Sequence, residues 1–501
     1  MVIGQMKPDS SKRFLRMLLT PGKSLSQRAI HASFWAFALR IVDRLFQLAR
    51  TIVLARVLSP NDFGLFGIAL LAMAALETFS KTGFQQALIQ KKGDIRPYLD
   101  TAWTVQVIRG LVLVLILFGI APYAAAFFGE PAAVPLLRVL GLSMLFQGFT
   151  NIGVVYFLKE LEFHKRFAYM FSGSLFNLCV AIPTALILRN AWALMAGHLA
   201  GSFVSFIVSY FIHPYRPRLR LDWGKGRELY DYGKYIFFQS IVLFLLTQGD
   251  DAFVGRFIGA TALGFYQLAY RFSNMAATEI THVVSQVTFT VYSKLQDEQN
   301  KLKRAFTKTL KLTTFVTIPT ASAVFILAPE FTKVFLGDKW MPMVPAMQVM
   351  CLFGAMRSVG ATFGPVYRAI ARPDIPLKIN IIQLVFLATI IYPLTLHLEL
   401  LGTAIAITLS MVLALCLTSR RIMDVLDIDF MSLLKPIFHS VSASIGMIIV
   451  ILCLKFYILK AASYISILSL AAIGGGCYLG FMKVAGYNLW EAVRTLYNWR
   501  R

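Results

Sequence analysis

Arg40, Asp43 and Arg44 stand near the middle of the first long apolar run of this 501-residue chain. Arg40, Arg44, Gln47 and Thr51 recur at i, i+4, i+7 and i+11, which is one face of a helix. Two guanidiniums on one face hold a pyrophosphate bidentately, and Asp43 neutralises only one of them. The competing reading is a salt bridge between Asp43 and one arginine that only locks helices together. Arg109, Arg138 and Arg357 also lie within apolar runs and add positive potential, although Arg109 and Arg138 are near enough to the ends to snorkel. Glu279 and His282 lie near the middle of another run, where a carboxyl and an imidazole can exchange protons with either side or simply anchor a helix. Asp250 and Asp251 come late in the run before it. Glu77 and Lys81, at i and i+4, read as an internal ion pair. No set reads as catalytic. The Gly-Asp-Asp at 249–251 ends an apolar run, with no nucleotide-binding domain around it, and no loop is long enough to carry an enzyme.

These groups sit where they do because of the elements that carry them. The chain is 57% hydrophobic, against about 45–50% for a soluble domain. The excess comes in blocks of about 20 apolar residues, the length of a bilayer crossing. The spacing predicts an all-α integral membrane protein with about fourteen spans: 30–57, 62–89, 99–128, 132–158, 167–189, 191–213, 230–257, 262–292, 307–328, 344–370, 376–396, 400–420, 436–457 and 462–482. Several exceed the minimum length, which predicts tilt or protruding ends. Prolines 183, 319, 365 and 393 fall inside spans and permit kinks. The five cysteines all lie in apolar blocks with no Cys-x-x-Cys pair, so they read as small buried hydrophobes. No cleavable signal peptide is expected, because no apolar stretch in the first 29 residues ends in a small-residue cleavage site.

The net charge of +24 would point to nucleic acid in a soluble protein. Here its placement excludes that. Of 49 Lys and Arg, 33 fall in the N-terminal segment, the C-terminal tail and alternate loops. The opposite loops hold only Arg56, Arg189, Arg256, Lys333, Lys339, Lys455 and Lys460. This bias places both termini in the cytoplasm and the charge against anionic membrane lipids. Residues 487–501 put Leu489, Trp490, Val493, Leu496 and Tyr497 on one side, the pattern of an interfacial helix.

RVLSPNDFGLFG at 56–67 is similar to RFIGATALGFYQ at 256–267, without a gap and at the same junction of a six-span set. Six is even, so both copies enter the membrane in the same direction, a parallel repeat. The organisation expected is a basic segment 1–29, a six-helix lobe 30–213, a linker 214–229, a second six-helix lobe 230–420, two more helices in 421–482 and an interfacial tail 483–501. A site between two similar lobes can face either side by rocking. The first lobe is rich in arginine, which suits an anionic substrate head and not a purely cationic solute.

RTIVLARVLSPNDFGLFGIA (50–69), TFSKTGFQQALIQKKGD (78–94), DDAFVGRFIGATALGFYQLAYRFSNMA (250–276) and VYSKLQDE (291–298) carry a family resemblance. Over roughly residues 30–420 the chain resembles the Wzx-type polysaccharide flippases of the multidrug/oligosaccharidyl-lipid/polysaccharide exporter superfamily, in the exopolysaccharide and colanic-acid exporter branch. The resemblance implies a two-lobe transporter, not an enzyme, in a bacterial inner membrane. It implies a substrate of oligosaccharide on undecaprenyl pyrophosphate, flipped to the outer leaflet for exopolysaccharide or lipopolysaccharide biosynthesis. It also implies a polysaccharide polymerase and a chain-length regulator as partners. No cofactor is expected beyond a proton or sodium gradient. The alternative is a multidrug or small-solute antiporter of the same superfamily, which Asp250, Asp251 and Glu279 would suit.

Overall fold

The computed structural model describes residues 42–457 and 463–484, apart from 92 and 161. Every regular element among them is helical. Arg40 and the C-terminal tail lie outside the described residues, as does the side chain of His282. Among the described residues, nine helices are long and apolar enough to cross a membrane, ten if one bent pair counts as a span. The chain is a multi-pass membrane protein. Its lipid-facing sides show large apolar residues open to the surroundings, among them Leu115, Ile187, Phe211 and Ile465, which a soluble protein would bury.

The contacts divide the chain into two compact units, Met1–Ile241 and Val242–Arg501. The first contains α1 (42–57), α2 (Pro60–Phe79), α3 (Phe84–Gln90), α4 (Arg96–Phe128), α5 (Ala133–Phe149), α6 (Phe163–Leu188) and α7 (Trp192–Ile212), and the start of α8 (Trp223–Phe257). α4 and α5 cross at a glycine pair. A Cβ on Gly110 would stand 3.0 Å from the Gly148 Cα, so any larger residue pushes the backbones apart. α6 and α7 approach in the same way, Gly201 lying against the Gly173 carbonyl. Small residues at such crossings are the usual means of packing helices in lipid, where burial of apolar surface supplies no driving force.

Two of the expected spans in the first unit are broken. α2 stops at Phe79, and Gly83 adopts φ +71° before α3 begins. α5 stops at Phe149, and a short helical segment, Ile152–Lys159, which opens as a 3₁₀ turn, leaves at 74° to it. The helical i, i+4 relation of Glu77 and Lys81 is lost at the first break. Lys81 Nζ donates instead to Ser240 Oγ (3.3 Å), which corrects the expected ion pair.

Residues 214–222 run extended along the first turns of α4, since Pro214 and Pro217 cannot hydrogen bond as a helix requires. Tyr215 OH donates to Asp100 Oδ1 (2.5 Å), the Arg220 amide to Thr104 Oγ1 (2.9 Å) and the Asp222 amide to Thr101 Oγ1 (3.2 Å). Lys91 pairs with Glu228, which also accepts from Tyr98 (2.8 Å). Beneath them Phe84, Leu88, Leu99, Trp103 and Ile152 form one apolar cluster.

The second unit contains the rest of α8, then α9 (Ala260–Lys294), α10 (Gln299–Phe331), α11 (Val344–Gly360), α12 (Gly364–Ala369), α13 (Asp374–Leu426), α14 (Phe430–Tyr457) and α15 (Tyr464–Val484). α8 and α9, with 35 residues each, are about 52 Å long at 1.5 Å per residue. That is ample for a crossing, but the ionisable residues they carry lower their hydropathy. α13 is two helices meeting at Glu399 (φ 48°, ψ −127°), so it serves two of the expected spans. Tyr292, Phe306, Phe363, Tyr367 and Leu426 make the core at one end of this unit, and Met447, Ile451, Leu470 and Tyr478 pack α14 and α15 onto α10. The junctions of the internal repeat are structurally alike. α2 starts at Pro60 and α9 at Ala260, two hundred residues apart, each after a short non-helical turn. In the first copy Ser59 closes a capping box with Asp62.

Candidate substrate pocket and buried charge clusters

Each of the two breaks in the first unit interrupts an apolar run. In a membrane protein, irregular backbone is best accommodated where it lines a cavity or is buried in protein. Two adjoining cavities, of about 280 and 350 Å³, open between the breaks. Both are lined by Glu77, Gln85, Gln106, Arg109, Gln147 and Ile152. Lys81 and Gln86 line the first, Asn151 and Tyr169 the second. Arg109 reaches across from α4 and donates through Nε to Ser80 Oγ (3.0 Å) and through Nη2 to the Glu77 carbonyl (3.0 Å). It thereby caps the open end of α2. Gln106 Nε2 lies within hydrogen-bond distance of the carbonyls of Gln147, Gly148 and Thr150 (2.9–3.2 Å), tying the second break to α4. The Glu77 carboxylate faces Arg109 electrostatically, and its Oε1 is buried with no hydrogen-bond partner.

α1 carries a separate polar seam. Arg44 Nη1 donates to Gln47 Oε1 (2.9 Å) and Gln47 Nε2 to Asp43 Oδ2 (2.8 Å). Ser174 Oγ of α6 donates to Asp43 Oδ1 (2.6 Å). One turn on, Arg50 Nη1 donates to Asn177 Oδ1 of α6 (2.6 Å), while its buried Nε has no partner. His198 of α7 meets the Phe66 ring edge-on at 6.1 Å. The sequence reading selected Arg44 and passed over Arg50, Asn177 and His198. The i, i+4, i+7 series of Asp43, Gln47 and Arg50 was the available signal.

The remaining arginines are dispersed. Arg138 lies over the Phe118 ring at 4.8 Å, a cation–π contact, and does not line the pocket. Arg357 belongs to the second unit. Its Nη1 donates to Tyr270 OH (3.2 Å) and its Nη2 to Thr278 Oγ1 (2.5 Å). On α8, Asp250 is 5% exposed and accepts from Tyr266 OH of α9 (2.6 Å). Asp251 accepts from Gln267 Nε2 (3.3 Å). Two adjacent carboxyls thus face α9, and one turn from Tyr266 on that helix Tyr270 meets Arg357. Glu279 lies farther along α9 and is half-buried. The structure therefore sets Asp250 and Asp251 of α8 against α9, whose Tyr270 also meets Arg357 of α11, and it keeps Arg109 in the first unit's pocket.

The model of one protein family, described as polysaccharide biosynthesis protein, matches residues 53–345. The chain belongs to this polysaccharide biosynthesis family. The match runs from the end of α1 to the start of α11 and so contains the pocket and most of the α8–α9 carboxyl cluster. Among curated relatives, the lipopolysaccharide biosynthesis protein WzxC of Escherichia coli is 26% identical over 362 residues, 72% of this chain and 74% of that protein. Among solved structures, the lipid II flippase MurJ in an inward closed conformation covers 89% of this chain and 97% of its own, with a TM-score of 0.74 at 16% identity. An inward-facing multidrug resistance MATE family transporter of the MOP superfamily covers 77% and 95%, with a TM-score of 0.63 at 17% identity. This family member therefore has the fold of MOP transporters.

Proposed function

We propose that this protein is a flippase for an oligosaccharide carried on undecaprenyl pyrophosphate, working from the inner to the outer leaflet of a bacterial inner membrane in exopolysaccharide or lipopolysaccharide biosynthesis. The observation that carries the reading is the pocket between the two helix breaks, cationic through Lys81 and Arg109, within a member of the polysaccharide biosynthesis family. A relative named for lipopolysaccharide biosynthesis and a fold shared with a lipid II flippase support it. The lobes 30–213 and 230–420 would alternate access, with both termini cytoplasmic as the Lys and Arg bias requires. Arg40 and Arg44 would clamp the pyrophosphate in the first lobe, and Arg109, Arg138 and Arg357 add positive potential. Asp250, Asp251, Glu279 and His282 are the groups for coupling to a proton or sodium gradient. A polymerase and a chain-length regulator would receive the product.

The test is transfer of a labelled undecaprenyl-pyrophosphate oligosaccharide in liposomes, followed by its exposure to an outside probe. Wild type is expected to transfer it, and Arg44→Ala/Arg109→Ala to lose most of that rate. Absence of transfer by folded wild type under every imposed gradient overturns the flippase reading. The buried Asp250–Asp251 pair favours one other reading, a small-solute antiporter, and efflux of a cationic dye in place of lipid transfer would establish it.

A further inference from the structure

The first unit's pocket has more amides than a pyrophosphate needs. A pyrophosphate is held by cations and N–H donors. Here Arg109 spends Nε and Nη2 on Ser80 and the Glu77 carbonyl, and Lys81 donates to Ser240. What remains open is neutral and two-faced. Gln85, Gln86 and Gln147 are all exposed to the cavity they line. Each carboxamide offers two donors and an acceptor. Glu77 Oε1, buried and without a partner, adds a pure acceptor. A group of donors and acceptors around a small cavity matches a ligand whose every edge is a hydroxyl, each one both donor and acceptor. The paired breaks at 80–83 and 150–151 also line this pocket, as interrupted helices do at the binding sites of transporters.

We propose that this pocket recognises sugar: Gln85, Gln86, Gln147 and Glu77 hydrogen bond the hydroxyls of the oligosaccharide, and Arg109 is a positioning residue that holds α2 open. This rests on the flippase reading and names what that site selects. It places selectivity in the carbohydrate and leaves the pyrophosphate to other arginines. A site built to bind hydroxyls discriminates strongly against ligands that lack them.

The experiment compares three probes on the purified full chain in nanodiscs: undecaprenyl-pyrophosphate oligosaccharide, undecaprenyl pyrophosphate without sugar, and the free soluble oligosaccharide. Wild type is expected to bind the sugar-bearing lipid more tightly than the bare one. Gln85→Leu/Gln86→Leu, both at exposed positions, should weaken the sugar-bearing lipid about tenfold, the loss of one or two hydrogen bonds, and should weaken the bare lipid far less. Gln147→Leu is the second variant and is expected to act in the same direction. Equal wild-type affinity for the two lipids overturns the proposal, as does equal weakening of both by the glutamine variants. If neither lipid binds but the free oligosaccharide does, with the same glutamine dependence, the sugar site stands and the flippase reading falls. If the free oligosaccharide and both lipids all fail to bind, both fall.

Discussion

At the scale of the residue, the ionisable groups were legible because an apolar run makes each of them conspicuous. Arg44, Arg109, Asp250 and Arg357 were found that way, and all of them have polar partners or a cavity in the structure. The glutamines of the pocket were not legible. An amide carries no charge to stand out, and Gln85 and Gln86 come from a short helix whose orientation depends on Gly83. The positions of the charges lead to two predictions. Asp250→Asn/Asp251→Asn removes both carboxylates yet keeps an acceptor for Tyr266. In liposomes it should transport at the rate wild type shows without an ion gradient, whichever gradient is imposed. Arg357→Met leaves Tyr270 and Thr278 without their donor and should lower stability by about 1–3 kcal/mol, read as a fall in the unfolding midpoint in detergent.

At the scale of the element, helix existence followed from hydropathy and helix continuity did not. The runs 62–89 and 132–158 do turn polar at their breaks, Ser80-Lys81-Thr82-Gly83 and Thr150-Asn151, but each stretch is short enough for the apolar residues on either side to carry the run. Within the first break Gly83 marks the turn, and a lone glycine has many explanations. Its φ of +71° makes Gly83→Ala costly by about 1 kcal/mol. Gly110→Leu forces a side chain into the 3.0 Å approach to Gly148 and should cost about 1–3 kcal/mol by overpacking. Thermal unfolding of the two variants against wild type checks both figures. An unchanged midpoint for Gly110→Leu would mean that α4 and α5 do not need this contact.

At the scale of the whole molecule, the strap 214–222 ties the chain to the first unit before α8 begins. The sequence showed a basic, proline-containing linker there, but partners so far away in sequence left no local trace. Glu228 is held below the ordinary carboxylate range by its hydrogen bonds to Lys91 and Tyr98, and Lys91 is held above its own range by Glu228. The carboxylate's contribution is complete above 4.5 and fades as pH falls through its lowered value. The ammonium's is complete below 10.5 and fades as pH rises through its raised value. Amide exchange of the strap, corrected for intrinsic rates, should therefore be level from about pH 5 to 10 and quicken outside that window. Glu228→Gln should speed it inside the window.

The turn in α13 offers a way to strengthen this protein. Glu399 holds a backbone conformation, φ 48° and ψ −127°, that side chains resist and glycine accepts. It is exposed and lies at the tip of a helical hairpin fastened by the Thr395–Thr403 hydroxyl pair (2.9 Å). Glycine at 399 should therefore relieve about 1 kcal/mol of strain, making this one of the few places where a smaller, looser residue gives a hardier transporter.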